Sequence, residues 1–125
     1  MKLNEYQERA MKTRMKSCDN FSYMMLNLVG EVGEFAGKVA KMIRRGEAVI
    51  DTMDANIQSD LYVNDNCDWD TQKKELMKEA GDILWQLAGL CDVMGWDLED
   101  IAVMNLNKLA SRKDRGVICG DGDNR

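Results

Sequence analysis

The chain has 125 residues, with 17 Lys and Arg against 22 Asp and Glu, for a formal charge of -5. An acidic chain repels phosphate backbones and anionic lipid, which disfavours nucleic-acid polymers and membrane surfaces as partners. The absence of histidine excludes Ser-His-Asp and Cys-His catalysis, His-ligated zinc and di-iron bundles built on Glu-x-x-His pairs.

The sequence predicts one domain, residues 1–125, built as an all-α antiparallel helical bundle with four main helices. No proline interrupts them. The first helix is expected from about Leu3 to Lys16, with Tyr6, Ala10, Met11 and Met15 on one side. The second follows a capping pair, Asp19-Asn20, and runs from Phe21 to about Arg45, where Gly46 ends it. Glu47 to Asp70 is an Asn- and Asp-rich insertion with a weak apolar trace from Val49 to Val63. It is too long for a structureless loop, so one short helix and some mobility are expected there. The third helix follows Asp68-Trp69-Asp70 and runs to Met94, with Gly95 as its stop. The fourth starts at Asp97, with Asp100 completing an approximate capping box, and ends near Arg115-Gly116. By composition the remainder, 116–125, is a flexible tail. The four scattered cysteines read as reduced thiols, since no C-x-x-C is present. No leader and no apolar run near the ~20 residues of a membrane span is seen, and with reduced thiols a cytoplasmic location is expected.

Two acidic pairs stand out. Glu31 and Glu34 lie on the second helix, Glu79 and Asp82 on the third, each pair spaced i,i+3 on one face. At ~100° per residue, Glu31 and Glu79 both fall at roughly -90° from the centre of their helix's apolar stripe, and Glu34 and Asp82 at roughly -150°. If the two helices pack antiparallel, equal offsets put all four carboxylates on the same side of the seam. Two like charges at ~5 Å repel by roughly 3 kcal/mol at an effective dielectric of 20, so such a cluster calls for a cation or for protonation. An all-oxygen, His-free donor set suits Mg²⁺ or Mn²⁺. Gly30, Gly33, Gly37, Gly81 and Gly89 add a second signal. Interior glycines cost ~1 kcal/mol each against alanine, which close approach of another helix or a ligand offsets. If both faces of these helices are covered, the chain pairs with a copy of itself.

On the fourth helix Asn105, Lys108 and Arg112 share a face, with Arg115 three residues on. This local positive stripe suits a helix C-terminal half, and equally a grip on polyphosphate oxygens. Lys38 and Lys41 follow Glu34 at one and two turns, as salt-bridge partners or as phosphate ligands. Trp85 is either core or a surface for stacking a base.

Several of these stretches resemble the MazG-type all-α nucleoside triphosphate pyrophosphohydrolases. They are Gly30-Glu31-Val32-Gly33-Glu34 followed by Lys38, the run from Lys78 to Trp85, Gly95 to Ala102, Asn105 to Leu109 with Arg112, and the closing Gly-Asp-Gly-Asp-Asn-Arg. Asn4-Glu5-Tyr6-Gln7 is similar to the family's opening helix, whereas 47–70 is longer than its usual connection. The resemblance implies Mg²⁺-dependent hydrolysis of an NTP or dNTP to the monophosphate and pyrophosphate, in nucleotide-pool control. It implies Glu31, Glu34, Glu79 and Asp82 as metal ligands and Lys108 and Arg112 as phosphate contacts. It further implies that Arg125 closes over the nucleotide, that Asn105 makes a polar contact, and that chains assemble as homodimers or homotetramers. The residues suit that chemistry, because divalent ions polarise phosphoryl oxygens and activate water without a histidine base. Glu31 or Glu34 then orients or deprotonates the water. The competing reading is a catalytically silent helical oligomer that senses nucleotides or binds a partner.

Overall fold

A computed structural model describes residues 1–50 and 61–125. The fold is all-α, with a small two-stranded ribbon. The helices are α1 (Leu3–Met11), α2 (Phe21–Arg44), α3 (Trp69–Val93) and α4 (Leu98–Asp114). The strands are β1 (Ala48–Ile50) and β2 (Leu61–Val63). The chain divides into two compact units: Met1–Phe21 with Ala88–Arg125, and Ser22–Leu87. No described helix is long and apolar enough to cross a membrane, and all four cysteines are free.

In the 22–87 unit, α2 and the first part of α3 run antiparallel, as the matched acidic phases require. Lys38 meets Glu79 at 3.2 Å and Glu75 at 3.7 Å, while Glu31, earlier on α2, meets Asp82, later on α3. Met42, Ala48 and Leu76 form the core, with Phe35, Val39, Leu61, Val63 and Cys67 packed against them. Asp68 starts α3 by accepting the Thr71 N–H at 3.2 Å, a side-chain cap on the first turn. Gly46, at φ 69°, ends α2 in a left-handed turn that other residues adopt at a cost.

The insertion departs from the sequence expectation. Its described ends form an antiparallel ribbon, with Ala48 opposite Val63, Val49 opposite Tyr62 and Ile50 opposite Leu61. Asn64 closes it, its N–H donating to the Glu47 carbonyl at 2.8 Å and its amide to the Gly46 carbonyl at 2.7 Å. Ala48 is fully buried, and that side chain ties the ribbon to the core. The β-branched and aromatic residues pair across strands instead of continuing a helix. Residues 51–60 of this insertion lie outside the described residues, and the short helix expected within 47–70 is not seen among those that are described.

In the other unit Ala88, Cys91 and Leu98 form a core with Tyr6, Met11 and Ile101 against it. The first helix is shorter than expected because Thr13 takes the Ala10 carbonyl with both its hydroxyl (2.7 Å) and its N–H (3.0 Å). That local bond competes with continuing the helix. Arg14 then lies between Asp19 and Asp92, 2.7 Å from each. The start of α4 also differs: Asp97 makes no side-chain cap. The N–H of Leu98 is taken by Gln7 Oε1 and that of Glu99 by Asn4 Oδ1, both at 2.9 Å. The buried Gln7 amide also donates to the carbonyls of Ala88 and Trp96. α1 therefore caps α4 from a distance, which makes a local capping box unnecessary.

The tail is folded, contrary to the expectation of a flexible end. Arg125 donates to the carbonyls of Val117, Gly122 and Ile118, and Arg115 holds the Arg125 carbonyl at 2.6 Å. A side chain at Gly120 would come within 2.6 Å of Arg125 Cδ, so glycine is needed there for the arginine to fold back.

Candidate active site

Helical spacing places three of the four sequence-singled carboxylates together. One oxygen each from Glu31, Glu79 and Asp82 lies within 4.8 Å of the others. Glu79 is buried, Glu31 half-buried and Asp82 exposed, so the group opens to solvent on one side. Glu34 lies outside this three-oxygen set and is exposed, but its charge is felt at Glu31. Burial pushes the Glu31 carboxyl above the usual carboxylate range. A hydrogen bond from Asn27 Nδ2 at 2.9 Å works against that rise, and the charges of Glu34, Asp82 and Glu79 add to it. Sequence reasoning did not single out Asn27, although i,i+4 spacing to Glu31 was the available signal.

Lys38 partly offsets this negative charge. Its ammonium is pulled above the ordinary lysine range, chiefly by its hydrogen bond to Glu79. One lysine against three converging carboxylates leaves the group short of positive charge, and the donors are all oxygen. That set fits a hard divalent cation. Gly33, Gly37 and Gly81 have nothing within 4 Å of a built side chain, and Gly30 meets only Asn27 Oδ1 at 3.6 Å. No close helix approach within the described residues explains these glycines. Trp85 is half-buried on α3.

The α4 cations lie in the other unit and are not bare. Arg112 is only 5% exposed. Its Nη2 donates to Asp123 Oδ1 at 2.8 Å and to the Asp123 carbonyl at 3.2 Å. Lys108 Nζ reaches the same Asp123 oxygen at 3.3 Å. These two cations, the guanidinium first, hold the Asp123 carboxyl below its usual range. A carboxylate from the tail therefore occupies the place where a phosphate was expected. Asn105 and Lys108 also line a cavity of about 310 Å³ with Ile101 and Met104.

The MazG nucleotide pyrophosphohydrolase domain matches residues 19–117. The chain belongs to the MazG family. The match takes in both acidic pairs and the α4 cations, leaving α1 and the last residues outside. Among relatives of this MazG chain, Gene 37 protein of Mycobacterium phage L5 is 40% identical over 109 residues, covering 87% of the chain and 80% of that protein. The uncharacterised protein YvdC of Bacillus subtilis (strain 168) is 33% identical over 84 residues, covering 67% and 71%. No solved structure matches.

Proposed function

We propose that this MazG protein hydrolyses a nucleoside triphosphate, NTP or dNTP, at the α–β anhydride, releasing the monophosphate and pyrophosphate. The convergence of the Glu31, Glu79 and Asp82 oxygens within 4.8 Å carries the reading. These three side chains would hold Mg²⁺, with Mn²⁺ as a substitute. The ion, when bound, supplies charge neutralisation at the phosphoryl oxygens and lowers the pKa of bound water. Asn27 fixes the orientation of Glu31, and Lys38 that of Glu79. Glu34, exposed beside the set, orients the attacking water and takes its proton. The water oxygen bonds to phosphorus and the bridging oxygen leaves with pyrophosphate.

Lys108, Arg112 and Arg125 are proposed phosphate contacts, with Asp123 as the anion that gives way to substrate. Asn105 makes a polar contact beside Lys108, and Trp85 offers a face for a base. A homodimer or homotetramer is supported by apolar side chains left open on α2, with Leu26 74%, Val29 63% and Val32 49% exposed. A cytoplasmic location belongs to the same proposal, as the place where the protein would act on the nucleotide pool.

The test is a panel of NTPs and dNTPs with Mg²⁺ or with chelator, read for both monophosphate and pyrophosphate. Equal release of the two with Mg²⁺ alone is expected. Release of orthophosphate would move the cut to another anhydride, and no release from any nucleotide would favour the silent oligomer.

A further inference from the structure

The geometry points to a seat for a pyrophosphate unit on the 22–87 unit, formed by Lys38 and Lys41 of α2, by Arg45 just past its end, and by Gln72 of α3. It rests on the proposed hydrolase reading, and its occupant is the terminal two phosphates of the triphosphate, which become the leaving group. These side chains and Glu75 line a cavity of about 250 Å³. Lys38 and Lys41, spaced i,i+3, share one face of α2, and Arg45 continues that turn just past the helix end, its N–H donating to the Lys41 carbonyl at 3.0 Å. Three cations face one carboxylate across the cavity, and that carboxylate is already engaged: Glu75 accepts from Lys78 Nζ at 2.6 Å and lies 3.7 Å from Lys38. Among the described residues, no carboxylate pairs with Lys41 or Arg45 within 4 Å.

Cations near a helix C-terminus complement its dipole wherever they point. What distinguishes these three is that they turn into one cavity, and that the cavity adjoins the acidic group. Lys38 belongs to both, lining the cavity and touching Glu79 at 3.2 Å. A metal-bound phosphate at Glu31, Glu79 and Asp82 would have its next phosphates close to Lys38, and beyond it to Lys41 and Arg45. Ammonium and guanidinium donors with the Gln72 amide match the oxygens of a diphosphate. They stabilise the negative charge that builds on the leaving group as the bridging bond breaks.

The test uses Lys41→Gln/Arg45→Gln, which leaves Lys38 and the carboxylates untouched. Arg44→Gln, a charge change beside the cavity but not lining it, is the control. Binding of inorganic pyrophosphate and of nucleoside monophosphate in Mg²⁺ is measured by calorimetry, and NTP turnover in steady state. The double variant should weaken pyrophosphate binding and raise the NTP KM, each by about tenfold or more, with monophosphate binding and circular dichroism unchanged and Arg44→Gln like wild type. Unchanged pyrophosphate binding overturns the seat. So does an equal loss of monophosphate binding, or weaker pyrophosphate binding with an unchanged KM, which would mark a separate anion site. If wild type hydrolyses no nucleotide, the hydrolase reading fails, and the calorimetry still decides whether these residues hold a diphosphate.

Discussion

Replacing Glu79 by Gln keeps the shape of a buried side chain and removes its charge. The three clustered oxygens form three like-charged pairs at 4.8 Å or less, each repelling by about 3.5 kcal/mol or more at an effective dielectric of 20 before solvent screening. The substitution removes two of them. Water around exposed Asp82 and half-buried Glu31 screens most of that, leaving a relief of about 1 kcal/mol. Loss of the Lys38 contact works in the other direction. In chelator, Glu79→Gln should therefore melt within a few degrees of wild type, on the higher side. Mg²⁺ reverses the order. At a hundredfold excess over its dissociation constant the ion stabilises wild type by about 2.7 kcal/mol, a rise in Tm of roughly 8–15 °C for a domain of this size. The variant should lose most of that rise together with turnover. Differential scanning calorimetry with and without Mg²⁺, at matched ionic strength, measures both effects. A metal-free Glu79→Gln protein melting well below wild type would refute the repulsive cluster, as would a full Mg²⁺ response in the variant.

Other outcomes follow from the same contacts. The Glu31 carboxyl titrates above its unfolded value of 4.5, so its favourable contribution is complete below that pH and is lost as pH rises through the elevated folded value. The metal-free Tm should fall across that window, and Glu31→Gln should flatten the fall; an unchanged slope would contradict the assignment. Asp123 has the opposite sign: it sits below 3.8 when folded, and its contribution is lost as pH drops through that lower value. Asp123→Asn should loosen the tail, seen as faster amide exchange at Gly120 and Gly122, whereas unaltered exchange would mean that Arg125 alone holds it. Gln7→Ala removes three buried or part-buried bonds and should cost about 2–4 kcal/mol in denaturant unfolding; a cost below 1 kcal/mol would show that water replaces the amide.

The helices were legible because their limits are written locally. The apolar period runs without proline to Gly46 and Gly95, and both stand at positive φ. The acidic site was legible for a related reason: spacing along a helix determines angular phase, and matched phases on antiparallel helices bring Glu31 to Asp82 and Glu79. Glu34 falls outside the tight group although Asp82, at the same offset on its own helix, is in it, so phase alone did not decide which of the four converge. The ribbon was hidden because three-residue strands give too few positions for an alternating pattern, and burial of Ala48 depends on Met42 and Leu76. The α4 cap was hidden because Gln7 and Leu98 stand 91 residues apart. The tail was misread because composition counts its glycines and aspartates without counting the cations that receive them, Lys108 and Arg112 for Asp123. The cavity below Lys38 needed Gln72 and Glu75 of α3 to be seen beside α2.

Manganese titration followed by electron paramagnetic resonance addresses the central claim most directly, since the free ion's signal is lost on binding. The account predicts that wild type removes free Mn²⁺, that Mg²⁺ displaces it, and that Glu79→Gln abolishes the effect without unfolding the chain. Equal Mn²⁺ binding by wild type and variant, or none by either, would contradict a metal site at Glu31, Glu79 and Asp82.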